Sequence, residues 1–203
     1  KSVASPQVLD PHHLPTPLEI MLRRLLPESI EFTWSVEAGV HRVRIDPVQL
    51  DQILTNLVLN ARDAVDQRGR VDVAFGNARL TEAECRGNPH VRPGDFVAVR
   101  VSDDGRGMTA DVQQRVFEPF FTTKAVGKGS GLGLSTVYGI VAQNNGLTTV
   151  DSEPGRGTTI TVHLPRTDLP LPGRARRDAG QDRYGGRERV LLVEDNPQVL
   201  SLT

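Results

Sequence analysis

The chain has 203 residues, a formal net charge of −1, 37% hydrophobic residues, 19 Gly, 14 Pro and a single cysteine, Cys85. That length suits one ordinary domain plus a linker or part of another. Near-neutral charge excludes non-specific nucleic-acid binding as the main activity, and one cysteine excludes both a disulfide framework and a cysteine-rich metal site. No apolar run approaches the ~20 residues of a membrane span, and no signal-peptide pattern is present. The chain starts without Met and stops within the first turns of an expected helix, so both ends are read as cuts from a longer protein.

Residues 1–15 are Pro-rich and expected to be irregular. Leu18, Met21, Leu22, Leu25 and Leu26 recur at helical spacing, and Pro27 stops that helix. Residues 30–36 and 41–45 predict a strand pair around Glu37-Ala38-Gly39. Asp46-Pro47 is a helix start, with Asp as N-cap and Pro in the first helical position. The helix continues through Leu50, Ile53, Leu54, Leu57, Val58 and Ala61 as one apolar stripe. Residues 71–80 and 96–102 predict strands joined by a loop over 81–95, in which Cys85 is an inert thiol. Residues 102–135 are too rich in glycine and charge to build a core; only a short helical piece near 112–117 is expected there. Helix returns over 132–143, and strands over 147–151 and 158–164 flank the turn 153–157. Residues 166–188 have linker composition. Residues 189–193 form an apolar strand followed by Glu194-Asp195-Asn196-Pro197.

Four segments carry chemistry. In the first, Asn56, Asn60 and Asp63 at i, i+4 and i+7 share one helical face. A solvated face is one reading. Asn is a poor mid-helix residue, however, and its amide oxygen suits Mg²⁺ when phosphates supply the other ligands. In the second, Ser102-Asp103-Asp104-Gly105-Arg106-Gly107-Met108 follows a strand; such a carboxylate can accept from an exocyclic amine, and the glycines let backbone approach a flat ring. Alone this motif is unspecific. In the third, Val116-Phe-Glu-Pro-Phe-Phe-Thr-Thr-Lys124, the clustered Phe read as a hinge clipped onto the core or as a satellite cluster. In the fourth, Gly127-Lys128-Gly129-Ser130-Gly131-Leu132-Gly133-Leu134 opens a helix and makes an anion site from free N–H groups and the helix dipole. It fits neither the P-loop nor the Rossmann spacing.

In order and separation these segments resemble the N, G1, F and G2 boxes of sensor histidine kinases, a family sharing the Bergerat ATP-binding fold with DNA gyrase B. The resemblance covers about residues 16–165. It implies an α/β two-layer sandwich, a mixed sheet covered on one face by helices, with ATP and Mg²⁺ as cofactors. It implies that Asn60 holds the metal with Asn56 beside it, these two being the catalytic pair. Asp103 would accept from the adenine amine, with Asp63 and Thr158 supporting that end through water. Gly105 and Gly107 would shape the adenine wall. Gly127, Gly129, Ser130, Gly131, Leu132, Gly133 and Leu134 would form the lid and phosphate-binding helix start. Lys124 and Lys128 either meet phosphate or stay solvated.

The hydrolytic branches of that group carry a Glu base where this chain has Asn56, and an amide cannot take a proton from water at neutral pH. The resemblance therefore implies transfer to a histidine, then relay to an aspartate. None of His12, His13, His41, His90 and His163 precedes an acidic residue, so the acceptor is expected on a dimerisation domain before residue 1. Residues 190–196 resemble the first strand and acidic pair of a receiver domain; an ordinary strand with an acidic turn is the alternative. The expected partition is a lead (1–15), the catalytic domain (16–165), a linker (166–188) and the start of a receiver (189–203). Expected partners are the dimerisation domain of the same protein, a receiver domain or response regulator, and a second copy in a full-length homodimer. Neither nucleic acid nor membrane contact is expected of this segment, and its expected location is cytoplasmic, whether or not the parent is membrane-anchored.

Overall fold

A computed structural model describes residues 5–14, 16–65, 68–124 and 129–171. The expected linker beyond 171, the receiver-like stretch, Gly127 and Lys128 lie outside the described residues.

Seven strands form one mixed sheet: β1 (Gln7–Leu9), β2 (Ile30–Val36), β3 (Arg42–Ile45), β4 (Gly69–Leu80), β5 (Gly94–Asp103), β6 (Leu147–Glu153) and β7 (Gly157–Thr167). Their order is β1-β3-β7-β5-β4-β2, with β6 also on β7. Among the described residues only β2 and β4 pair in parallel; the other ladders are antiparallel. The helices are α1 (Thr16–Arg24), α2 (Pro47–Ala64), α3 (Glu82–Cys85), α4 (Ala110–Arg115) and α5 (Gly133–Gln143).

Strand alternation decides which face is covered. Val73, Val101 and Ile160 stand on one face in register across β4, β5 and β7. They join the α2 stripe (Ile53, Leu54, Leu57, Val58) and Val137 and Val141 of α5 in one buried cluster. The opposite face carries a smaller cluster of Leu80, Cys85, Val91, Phe96 and Leu147 beneath the 81–93 connection. This is the expected sandwich, with its main core between sheet and helices.

Four expectations need correction. Residues 7–9 are not irregular; they form β1 on the edge of β3. The strands at 30–36 and 42–45 exist but do not pair with each other. Asn77 of β4 ties the connection between them, accepting from His41 N–H and donating to the Gly39 carbonyl, both at 2.9 Å. β2 runs parallel to β4, while β3 crosses to β7. The 81–95 loop contains α3, started by a reciprocal capping box between Thr81 and Glu84. The Cys85 thiol is buried at the end of that helix. Finally, β7 continues to Thr167, because Arg42 and Val43 of β3 pair with Thr167 and Arg166.

Candidate functional site

Helix α2 begins as its sequence dictates: the Asp46 carboxylate accepts from Val48 N–H at 2.9 Å, and Pro47 takes the first position. Packing its apolar stripe on the sheet turns Asn56, Asn60 and Asp63 toward a cavity of ≈ 510 Å³. The sheet supplies the floor, through Val101, Asp103, Thr158 and Ile160.

At one end, Asp103 is the last residue of β5 and is paired with Thr158 on β7. Its Oδ1 accepts from Gly105 N–H at 2.9 Å. Burial pushes its carboxyl up to about 6, and the backbone hydrogen bonds from Gly105 and Thr158 only partly oppose this. Gly105 packs directly against the Ala64 carbonyl at the end of α2, which leaves no room for a Cβ. Gly107 has φ +66, and a Cβ there would overlap the Glu153 carbonyl.

A small polar network holds this wall. Ser152 Oγ on β6 accepts from Met108 N–H (2.8 Å), donates to the Gly157 carbonyl (2.9 Å) and meets Thr158 Oγ1 (2.8 Å). Gln113 on α4 donates to the Ser152 carbonyl at 2.7 Å. Neither residue was singled out in the sequence. Ser152 stands two positions from Val150, so strand alternation put it on the cavity face; Gln113 gave no signal.

At the other end, Asn56 and Asn60 abut the start of α5. A Cβ placed on Gly133 would lie 3.4 Å from Asn56 Oδ1 and 3.5 Å from Asn60 Nδ2. Asn60 Nδ2 is buried without a hydrogen-bond partner among the described residues. Leu132, the N-cap of α5, makes no side-chain cap, so first-turn N–H groups face this end. A polar atom left so exposed to desolvation is costly unless a ligand completes it. In this orientation the atom is an N–H donor, which a phosphate oxygen would complete; a divalent cation carried by phosphates would instead ask for one or two oxygens, which the Asn56 and Asn60 amides have. The amide orientation of Asn60 is interchangeable, so its oxygen can turn to the cation.

Between the two ends, Lys124 Nζ meets Asp63 Oδ2 at 2.6 Å, and Arg62 Nη2 meets Asp63 Oδ1 at 2.8 Å. The aromatic segment before Lys124 divides. Phe117 packs on Tyr138 of α5 with centroids 5.6 Å apart, and Phe121 lies under Arg115. Phe120 instead points outward, 74% exposed at φ +67. So Phe117 clips onto α5, Phe121 packs against the neighbouring α4, and Phe120 stays exposed.

Of the residues expected at the site, the cavity is lined by Asn56, Asn60, Asp63, Asp103, Gly107 and Lys124, and also by Gly129, Ser130, Gly131, Gly133, Leu134 and Thr158. Gly105 supports the wall from behind, and Leu132 caps α5 without lining the cavity.

Comparison with known proteins adds the following. Residues 45–168 match the family model described as histidine kinase-, DNA gyrase B-, and HSP90-like ATPase. The chain is 38% identical over 201 residues to sensor kinase CckA of Brucella abortus (strain 2308), covering 96% of this chain and 21% of that protein. It is 36% identical over 148 residues to sensor histidine kinase ZraS of Klebsiella oxytoca, covering 73% of this chain and 29% of that protein. The chain thus spans less than a third of either relative. Among solved structures, full-length ShkA in complex with AMPPNP superposes with TM-score 0.62 at 27% identity, over 86% of this chain and 34% of that one. The mycobacterial sensor histidine kinase MprB does so with TM-score 0.63 at 24% identity, over 81% of this chain and all of that one, a likeness of fold.

Proposed function

This chain belongs to the family of histidine kinase-, DNA gyrase B-, and HSP90-like ATPases, and from that premise we propose that it is the catalytic domain of a two-component sensor histidine kinase. It binds ATP and presents the γ-phosphoryl group to a histidine on a dimerisation domain of the same protein, for relay to an aspartate of a receiver. The observation that carries this reading is the buried, unpartnered Asn60 amide against the start of α5, at the far end of the cavity from Asp103.

Each residue then has a task. Ionised Asp103 accepts from the adenine amine, and guanine, with a carbonyl there, would leave it unpaired. Gly107 and Thr158 shape that wall. The N–H groups at Gly133 and Leu134 face the phosphates, with Gly129, Ser130 and Gly131 before them. Asn60 holds Mg²⁺ with Asn56 alongside, the metal supplying charge neutralisation of the phosphate oxygens. Asn56, an amide, takes no proton from water, so the site favours a supplied nucleophile over hydrolysis. The domain's own contribution is positioning and electrostatic stabilisation.

The rest of the proposal concerns the parent protein. Residues 16–165 correspond to the catalytic domain, preceded by the dimerisation domain and followed by a linker and a receiver from about 189. The parent works as a homodimer with its catalytic domain in the cytoplasm. Among the described residues no helix is long and apolar enough to cross a membrane.

The test mixes the chain with the purified dimerisation domain of its parent, γ-labelled ATP and Mg²⁺. Acid-labile label on a histidine of the dimerisation domain is expected. Steady phosphate release by the chain alone, with no labelled histidine, would replace this reading by a hydrolytic one.

A further inference from the structure

The sequence placed Asp63 near the base and Lys124 near the phosphates, as separate contributors. The structure joins them. Lys124 Nζ lies 2.6 Å from Asp63 Oδ2, with side-chain exposures of 26% and 31%. No other ion pair among the described residues is as covered on both sides. The Asp63 carboxylate is itself held. Arg62 donates to its Oδ1 from Nε (3.0 Å) and Nη2 (2.8 Å), and its Nη1 donates to the Leu25 carbonyl at 3.3 Å. Burial alone would raise the Asp63 carboxyl, but the hydrogen bonds and charges of Lys124 and Arg62 outweigh it and hold it below its ordinary value. Both Asp63 oxygens are therefore engaged by protein cations, which take three of the carboxylate's roughly four acceptor sites.

Lys124 differs. An ammonium has three donors, and one is used on Asp63. Two donors remain, and Lys124, like Asp63, lines the cavity. Lysine's long stem would otherwise spread that charge over many rotamers.

We infer that Asp63 is a positioning residue acting through Lys124. It fixes the ammonium at the cavity wall, and with it the 116–124 segment, and it does not contact the base. The inference rests on the nucleotide reading only for what Lys124 then meets, an anionic phosphate.

The test uses Asp63→Asn, Lys124→Gln and the double variant in this chain, with two readouts. The first is hydrogen exchange of the 116–124 amides without nucleotide. Each single variant should speed exchange about fivefold, the factor corresponding to ~1 kcal/mol for one partly buried ion pair, and the double no further. The second is calorimetric affinity for ATP and for adenosine. ATP affinity should fall by a similar factor in all three variants, and adenosine affinity should stay within about twofold. Asp63→Glu, which keeps the charge, should restore both readouts most of the way, and Lys124→Gln, which removes the same pair from its other side, stands in should Asp63→Asn fail to fold. Unchanged exchange in Asp63→Asn overturns the inference. So does adenosine affinity falling as far as that of ATP, or single losses that multiply in the double variant. Should wild-type chain bind neither ligand, the nucleotide reading fails while the exchange readout still decides the clamp.

Discussion

Replacing Asp103 by Asn changes one atom and should move two properties in opposite directions. In the ligand-free protein the carboxyl is held at about 6 against an ordinary 3.8. The folded state therefore binds the proton more tightly than the unfolded one. Ionised Asp103 opposes folding fully above pH ~6, and the penalty vanishes below ~3.8. Unscreened, that linkage would be about 3 kcal/mol; solvent in the open cavity reduces it to about 1 kcal/mol. Asp103→Asn should accordingly raise the melting temperature at pH 7.5 and leave it nearly unchanged at pH 4. ATP affinity should fall. If the new oxygen keeps the Gly105 N–H, the new NH₂ faces the adenine amine, donor against donor. One unmade buried polar contact costs about 1–3 kcal/mol, a factor of about 5–150 in Kd. The same NH₂ can donate to a guanine carbonyl, so the preference for ATP over GTP should narrow. Calorimetric titration of both nucleotides, beside thermal melts at the two pH values, reads all of this. Unchanged ATP affinity in a folded variant would remove Asp103 from the base site.

Asn60→Ala should abolish phosphoryl transfer to a supplied dimerisation domain while melting within a few degrees of wild type; transfer at the wild-type rate in Mg²⁺ would refute the metal role. Adenosine, which carries no titrating phosphate, should bind more tightly as pH rises through about 6 and then level off, because the ionised Asp103 is the better acceptor; a flat calorimetric profile from pH 5 to 8 would contradict this. Burial lowers His163, whose Nδ1 has no partner among the described residues, so its neutral form is favoured in the fold and stability should fall as pH drops below ~6.5; His163→Phe should flatten that part of the melting curve. Incubated alone with labelled ATP and Mg²⁺, the chain should acquire no stable label and release little phosphate; label on His12 or His13 at kinase-like rates would falsify the assignment of the acceptor elsewhere.

Local signals in the sequence were legible. Asp46-Pro47 announced α2 within one turn, and the spacing of Asn56, Asn60 and Asp63 put them on one face, because capping and helical period involve only near neighbours. The Thr81…Glu84 capping box was equally local and was passed over inside a stretch that read as loop. Pairing was not legible. Residues 30–36 and 42–45 both carry strand patterns, but alternation fixes the faces of a strand and not its neighbour. Here the partners lie far along the chain, β4 for β2 and β7 for β3. The site divides in the same way: residue types at Asp103 and Asn60 pointed to their chemistry, whereas the Asp63–Lys124 pair and the Met108–Ser152 bond join residues 61 and 44 positions apart. The clustered Phe read together as a hinge clip or a satellite cluster; Phe120, with a left-handed backbone, is exposed and takes part in neither.

Leu9, Val43 and Arg166 stand on one rung across β1, β3 and β7. Neighbouring strands lie about 4.8 Å apart, so the chain comes into the sheet and leaves it within about 10 Å. Thr158, beside Asp103, is eight residues back along β7, about 27 Å away at 3.4 Å per residue. The rung that joins β1, β3 and β7 therefore lies at one end of the sheet, and the Asp103 end of the cavity lies at the other. A swing of about 10° about that rung, with every internal contact intact, carries the adenine pocket roughly 5 Å on a 27 Å arm. Under the proposed function, if the acceptor domain joins at that rung, delivery of a bound phosphate asks for rotation there and no rearrangement within the sheet.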